Sequence, residues 1–137
     1  MAAALIVAAV GAYGVSAATT PKSVVRAWSK ALNANDNAAA AKLFAPGARV
    51  VQPGVDVALT SRALALAFNE SLPCAGRIVR ITVKGDRATA TFVLGERPKH
   101  RCDAPGAKAA AVFTVQHGKI VRWQQVPVPA APSGPTA

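Results

Sequence analysis

Residues 23–53 read SVVRAWSKALNANDNAAAAKLFAPGARVVQP, and the order of elements in this stretch decides the fold. Val24, Val25, Trp28 and Leu32 recur at helical spacing, which gives a first helix one apolar face. Just upstream, Thr20 can cap that helix and Pro21 occupies its first position, where a missing N–H costs nothing. Asn33-Ala34-Asn35-Asp36 breaks the helix, and Asn35 or Asp36 can cap a second one. The second helix is expected to turn Leu43 and Phe44 inward and to stop at Ala45-Pro46-Gly47. A short strand over residues 48–52 follows.

Working outward from there, Val55-Asp56-Val57 fits a loop or a second short strand. Thr60 or Ser61 caps a third helix, with Leu64, Phe68 and Leu72 spaced at i, i+4 and i+8, and Pro73 ends it. The rest is β. Residues 77–84 and 87–94 alternate, and Gly85-Asp86 makes a two-residue turn between them. Counting outward pairs Lys84 with Arg87, Thr82 with Thr89 and Arg80 with Thr91 on a wet face. Val83, Ala88, Ile81, Ala90, Val79 and Phe92 fall on the other. A second hairpin joins residues 109–116 to 119–126 through His117-Gly118. With a two-residue turn, Phe113 shares a face with Val115 and Ile120 while Trp123 points away. A bulge at Gly118 would bring Trp123 to the Phe113 face. Periodicity leaves both registers open.

A chain of 137 residues fits one domain with a real core. Lys+Arg outnumber Asp+Glu by 16 to 6, a formal charge of +10 that favours acidic partners. Along the chain these charges are scattered, without a basic run. Arg80, Lys84 and Arg87 share the wet strand face, but no aromatic lies between them to stack on a base, so nucleic acid is not an expected partner. Residues 2–18, AAALIVAAVGAYGVSAA, carry no charge and end in small residues suited to signal-peptidase cleavage. Residues 1–18 are therefore expected to be a signal peptide or an N-terminal anchor. That places the protein outside the cell or in the cell envelope, and it touches membrane only through this segment if uncleaved. Residues 127–137, PVPAAPSGPTA, read as a Pro-rich disordered tail, which leaves 19–126 as the domain.

Few residues offer chemistry. His117 falls in a hairpin turn, and His100 in the loop Arg97-Pro98-Lys99-His100-Arg101-Cys102-Asp103. Asp56 and Asp103 are loop carboxylates that could act as bases only if turned inward. No cluster has zinc-ligand spacing and no glycine-rich phosphate loop exists, so neither metal nor cofactor is expected. The first hairpin's register sets Cys74 opposite Arg97, and the loop carrying Cys102 can fold back over it. Two such cysteines in an exported chain are expected to pair.

The order helix, helix, short strand, helix, long antiparallel strands resembles the nuclear transport factor 2-like superfamily, with its SnoaL-like polyketide cyclases and ketosteroid isomerases. AWSKALNANDNAAAAKLFAPGARVVQPG and VFTVQHGKIVRWQQV carry the resemblance. It implies an α+β cone: about three N-terminal helices packed on a strongly bent antiparallel sheet, with an apolar pocket at the open end. Pocket candidates are Trp28, Leu32, Phe44, Gln52, Leu64, Phe68, Phe92 and Phe113, with Gln52 and the Trp28 indole as its polar groups. The resemblance also places three isomerase roles on this chain. The carboxylate base corresponds to Gln52, the donor tyrosine to Trp28 and the acidic donor to Ala111. Gln52 cannot accept a proton at neutral pH, so isomerase chemistry of that type is not expected. Three classes remain. One is a small-molecule binder. Another is an enzyme using Asp56, Gln52 or Asp103. The third is a non-catalytic domain dimerising through its sheet. A carboxylate or histidine reaching the cone interior would favour the enzyme.

Overall fold

The computed structural model describes residues 19–130. The expected export segment, 1–18, and residues 131–137 of the tail lie outside the described residues. The elements run α1 (Pro21–Asn33), α2 (Asn37–Lys42), β1 (Phe44–Gln52), β2 (Val55–Leu59), α3 (Arg62–Ser71), β3 (Ala75–Lys84), β4 (Arg87–Gly95), β5 (Lys108–Gln116) and β6 (Lys119–Val126). The strands form one six-stranded sheet in the order β2-β1-β6-β5-β4-β3. The order leaves β2 and β3 as edges, so the sheet does not close on itself. It is mixed, not purely antiparallel as expected, because β1 and β6 pair in parallel. These strands are far apart in sequence, and no hairpin dictates their direction.

Each helix starts where its side chains can satisfy free N–H groups. At α1, Thr20 Oγ1 accepts from the Ser23 N–H at 3.1 Å, and Ser23 Oγ accepts from the Thr20 N–H at 3.1 Å. At α2, Asp36 accepts from the Ala39 N–H at 3.0 Å, after Asn35 turns the chain with a φ of 57°. Ser61 does the same for α3 through the Leu64 N–H at 3.1 Å.

Four local expectations change. The chain does not end a helix at Ala45-Pro46-Gly47: α2 stops at Lys42, and Pro46-Gly47 lies inside β1 as an irregularity in its pairing with β6. Pro46 has no N–H to give a ladder, so the strand tolerates it where pairing is already interrupted. In the first hairpin a bulge falls between Ile78 and Arg80, so Ile78 and not Val79 faces Phe92, and Val79 is exposed. In the second hairpin the turn has two residues, yet Trp123 still pairs with Phe113. The extra residue is Val121, not Gly118, because Val115 pairs with Ile120 and Thr114 with Arg122. Leu64 is 46% exposed, not inward-facing. The buried face of α3 is Ala65, Phe68 and Asn69, with Leu72 half-buried beyond it.

Asn69 hides that face from an apolar pattern. It is fully buried, its Nδ2 donates to the Ala65 carbonyl at 2.8 Å, and its Oδ1 accepts the Trp28 indole N–H at 2.8 Å. Around this bond the rings of Trp28, Phe92, Phe113, Trp123, Phe68 and Phe44 pack edge to face, or tilted in the Trp28–Trp123 pair, with centroids 5.1 to 6.3 Å apart. Val24, Val25 and Leu32 of α1 join the same core with Ala88, Ala90 and Val50 of the sheet. Alanine on the sheet's inner face lets α1 lie close at one end. At the other end the same small side chains leave space.

Candidate functional site

That space is a cavity of about 450 Å³ between α1, the end of α3 and the inner face of the sheet. Its sheet wall is Gln52 of β1, Trp123 and Gln125 of β6, Ala109 and Ala111 of β5, and Phe92 and Leu94 of β4. Trp28 and Ser29 of α1 form the facing wall, and the loop residues Asp103, Ala104 and Ala107 form a lip.

Gly76 explains how close the walls come. A Cβ there would meet Phe92 Cδ1 at 2.9 Å. The Gly76 backbone is gripped by α1: its N–H donates to Asn33 Oδ1 at 2.9 Å, and its carbonyl accepts from Asn33 Nδ2 at 2.9 Å and Ser29 Oγ at 3.2 Å. Helix and edge strand are thus pinned at the cavity's side. The Cys74–Cys102 disulfide pins the lip, with Cα atoms 4.5 Å apart. The expected pairing is present. Observed register sets Ala75 opposite Gly95, one residue off the bulge-free count, which still brings Cys102 over Cys74. Asp103 Oδ1 lies 3.5 Å from Cys74 Sγ. These three residues cluster, but both sulfurs are spent in the disulfide and neither is a thiolate ligand for a metal.

A second anchor is buried beneath. Arg97 is 2% exposed and donates through Nη1 to the carbonyls of Asn69 at 2.8 Å and Leu72 at 2.6 Å, and through Nη2 to Asn37 Oδ1. It satisfies carbonyls at the end of α3, where a cation also suits the helix dipole. Burial pushes its guanidinium below its ordinary pKa, and nearby Glu70 opposes that shift. No periodicity could have singled out Arg97, because its partners lie 25, 28 and 60 residues away.

Of the predicted pocket residues, Trp28, Gln52 and Phe92 line the cavity. Leu32, Phe44, Phe68 and Phe113 are buried in the core and do not line it, and Leu64 lies on the surface. The Trp28 indole is not a free polar group, since Asn69 takes its N–H. Gln125, Ala109 and Ser29 were missed. Gln125 sits one residue beyond the Val51–Gln124 pair, so its face became readable only once the Val121 bulge set the register. Asp56 is away from the cavity, paired with Arg49 at 2.6 Å on the exposed β1–β2 hairpin. His117 holds a turn with a φ of 52° and is exposed. His100 bridges to Arg97 outside the cavity. Asp103 is the only carboxylate among the described residues lining it.

Residues 25–123 match the SnoaL-like domain model, and the chain belongs to that family. It shares the nuclear transport factor 2-like fold. A structure from Sinorhizobium meliloti with the provisional name polyketide cyclase is 23% identical, covering 75% of this chain and 93% of that one, with a TM-score of 0.61. A nuclear transport factor 2-like protein of unknown function from Cytophaga hutchinsonii is 13% identical, covering 78% and 88%, with a TM-score of 0.64. One from Kribbella flavida, provisionally named ketosteroid isomerase, is 21% identical over 83% of each chain, with a TM-score of 0.60. No curated protein sequence matches the chain. Trp28, Gln52 and Ala111, the positions to which the resemblance assigned isomerase roles, all lie on the wall of this one cavity.

Proposed function

We propose that this SnoaL-like domain binds a small apolar or mildly polar molecule in its cone cavity and does not isomerise it. The observation that carries the reading is the cavity wall itself. About 450 Å³ is lined by Trp28, Phe92, Leu94, Trp123, Ala109 and Ala111, with the Gln52 and Gln125 amides beside them. Each amide offers a donor and an acceptor, which suits a carbonyl or hydroxyl group. Neither supplies a base for carbon acids.

Quenching of Trp28 and Trp123 fluorescence by an apolar probe such as anilinonaphthalene sulfonate measures occupancy. Ala111→Phe should fill the cavity and abolish saturable quenching while the circular dichroism spectrum is kept. Unchanged quenching in that variant would sink the pocket reading. A model steroid enone should bind weakly or not at all and show no double-bond shift by ultraviolet absorbance. Asp103 favours one second reading, an enzyme using this lip carboxylate as base. Turnover of an enone lost in Asp103→Asn would select it, and turnover lost in Gln52→Ala would overturn the non-catalytic reading.

A further inference from the structure

A second cavity opens where β1 leaves its partner strand. From Phe44, opposite Ile120, to Arg49, opposite Arg122, β1 takes five residue steps while β6 takes two. The surplus at Ala45-Pro46-Gly47 stands off β6. Pro46 has no N–H to give a ladder, and Gly47 turns the chain with a φ of 76°. Behind this arc, between the end of α2 and the start of α3, lies a space of about 320 Å³. Its floor is the buried Phe44, Leu59 and Ala65. Lys42 of α2, Arg62 of α3 and Lys119 of β6 stand on its wall.

These cations come from three elements and meet around one concavity. Lys119 is fixed there: its Nζ donates to the Lys42 carbonyl at 2.7 Å, and the neighbouring Ile120 N–H donates to the Leu43 carbonyl at 2.8 Å. That bond leaves the ammonium two further donors. No carboxylate among the described residues lines the cavity, and the one ion pair among them, Arg49–Asp56, uses none of the three cations. The Thr60 and Ser61 hydroxyls share the wall. Ser61 Oγ accepts from the Leu64 N–H at 3.1 Å and keeps its own proton to donate. Cations on the outer sheet face stand on open strands, whereas these rim a cleft with an apolar floor. Low-dielectric walls focus the field of like charges in such a cleft.

We propose that this second cavity binds a small phosphate monoester whose other group is a single ring or a short apolar chain. Three cations without a carboxylate among them suit more than one negative charge. A phosphate monoester carries about −1.5 to −2 at pH 7 and offers three acceptor oxygens, whereas a carboxylate brings a single charge. Phe44, Leu59 and Ala65 receive the apolar group. The volume lies near the lower bound for ligand pockets, roughly 300 Å³, which keeps that group small. A nucleobase finds no ring to stack on, because Phe44 is buried and packs edge to face with Phe68. The site is separate from the cone cavity. α3 leads from one to the other, and its ten residues span about 15 Å.

Phenyl phosphate titrated into the isotope-labelled full chain, followed by amide NMR shifts, tests the site. Amides of Lys42, Phe44, Ala45, Thr60, Arg62, Ala65 and Lys119 should shift saturably, and those of Gln52, Ala109 and Gln125 in the cone cavity should not. Inorganic phosphate has no ring to bury and should bind about tenfold more weakly. Benzoate keeps the ring with less charge and should bind about threefold more weakly, or worse. Arg62→Gln/Lys119→Gln should weaken phenyl phosphate binding about tenfold, at roughly threefold per exposed charge. Lys84→Gln/Arg87→Gln removes the same charge from exposed positions beside the β3–β4 turn and should change binding less than about twofold. Equal losses in the two double variants would reduce the effect to net charge and overturn the proposal. So would benzoate or inorganic phosphate binding as tightly as phenyl phosphate, shifts centred on Gln52 and Gln125, or no saturable shift at all.

Discussion

Removing the Cys74–Cys102 bond is expected to cost the domain about 3 to 4 kcal/mol. The cysteines lie 28 residues apart, and closing a loop of that length in the unfolded chain lowers its entropy by about 12 cal/mol/K, or about 3.6 kcal/mol at 25 °C. The β3–β4 hairpin lies inside this loop, and any residual hairpin in the unfolded state shortens the loop the bond must close, which gives the lower figure. At about 4 °C per kcal/mol for a domain of this size, the melting temperature of Cys74→Ala/Cys102→Ala should drop by about 12 to 16 °C. Reduced wild-type protein should melt near the variant. Hydrogen exchange adds a local readout. Amides of residues 101–107, the lip between the disulfide and β5, should exchange faster in the variant than those of β5 itself. A loss below about 1 kcal/mol would refute the reasoning, as would a lip whose exchange does not change. Either result would mean that neighbouring packing, and not the covalent bond, holds the lip.

Three other substitutions probe the features that positioned the site. Leu64→Ser should change stability by less than about 0.5 kcal/mol, whereas Phe68→Ala should cost about 3 to 5 kcal/mol; comparable urea midpoints would put the buried face of α3 in the wrong phase. Arg97→Met leaves the Asn69 and Leu72 carbonyls and the Asn37 amide oxygen without their donor, and a loss of about 3 kcal/mol is expected by urea denaturation. Wild-type stability in that variant would show that packing, not hydrogen bonding, secures the end of α3. Deleting Val121 removes the extra residue and leaves Ile120, Arg122 and Trp123 in regular register with Val115, Thr114 and Phe113, so tryptophan emission should stay that of a buried indole. A shift of the emission to the red, with loss of the near-ultraviolet signal, would contradict the register.

Local chemistry was legible in the sequence wherever the relevant partners were neighbours. Thr20, Asp36 and Ser61 cap helices because a cap acts within three residues. The Gly85-Asp86 and His117-Gly118 turns joined their strands as predicted, and the buried face of α1 followed from its spacing. The superfamily, too, was legible in the order of elements, and Trp28, Gln52 and Ala111, the positions the resemblance singled out, converged on one cavity. What failed locally failed where polar atoms find distant partners. Asn69 carries no apolar signal, yet the Trp28 indole, 41 residues away, satisfies it in the core, so the buried face of α3 runs through Asn69 and Leu64 is left exposed. The bulges at Val79 and Val121 were equally hidden, since one extra residue leaves no mark on an alternating pattern yet reverses every side chain beyond it. Lys84 and Arg87 pair across one turn and were legible in the sequence, but only the tertiary structure could set Arg122 and Arg49 in register with them. Cross-strand neighbours are set by hydrogen-bond register between segments far apart in the chain, and sequence spacing carries no record of it.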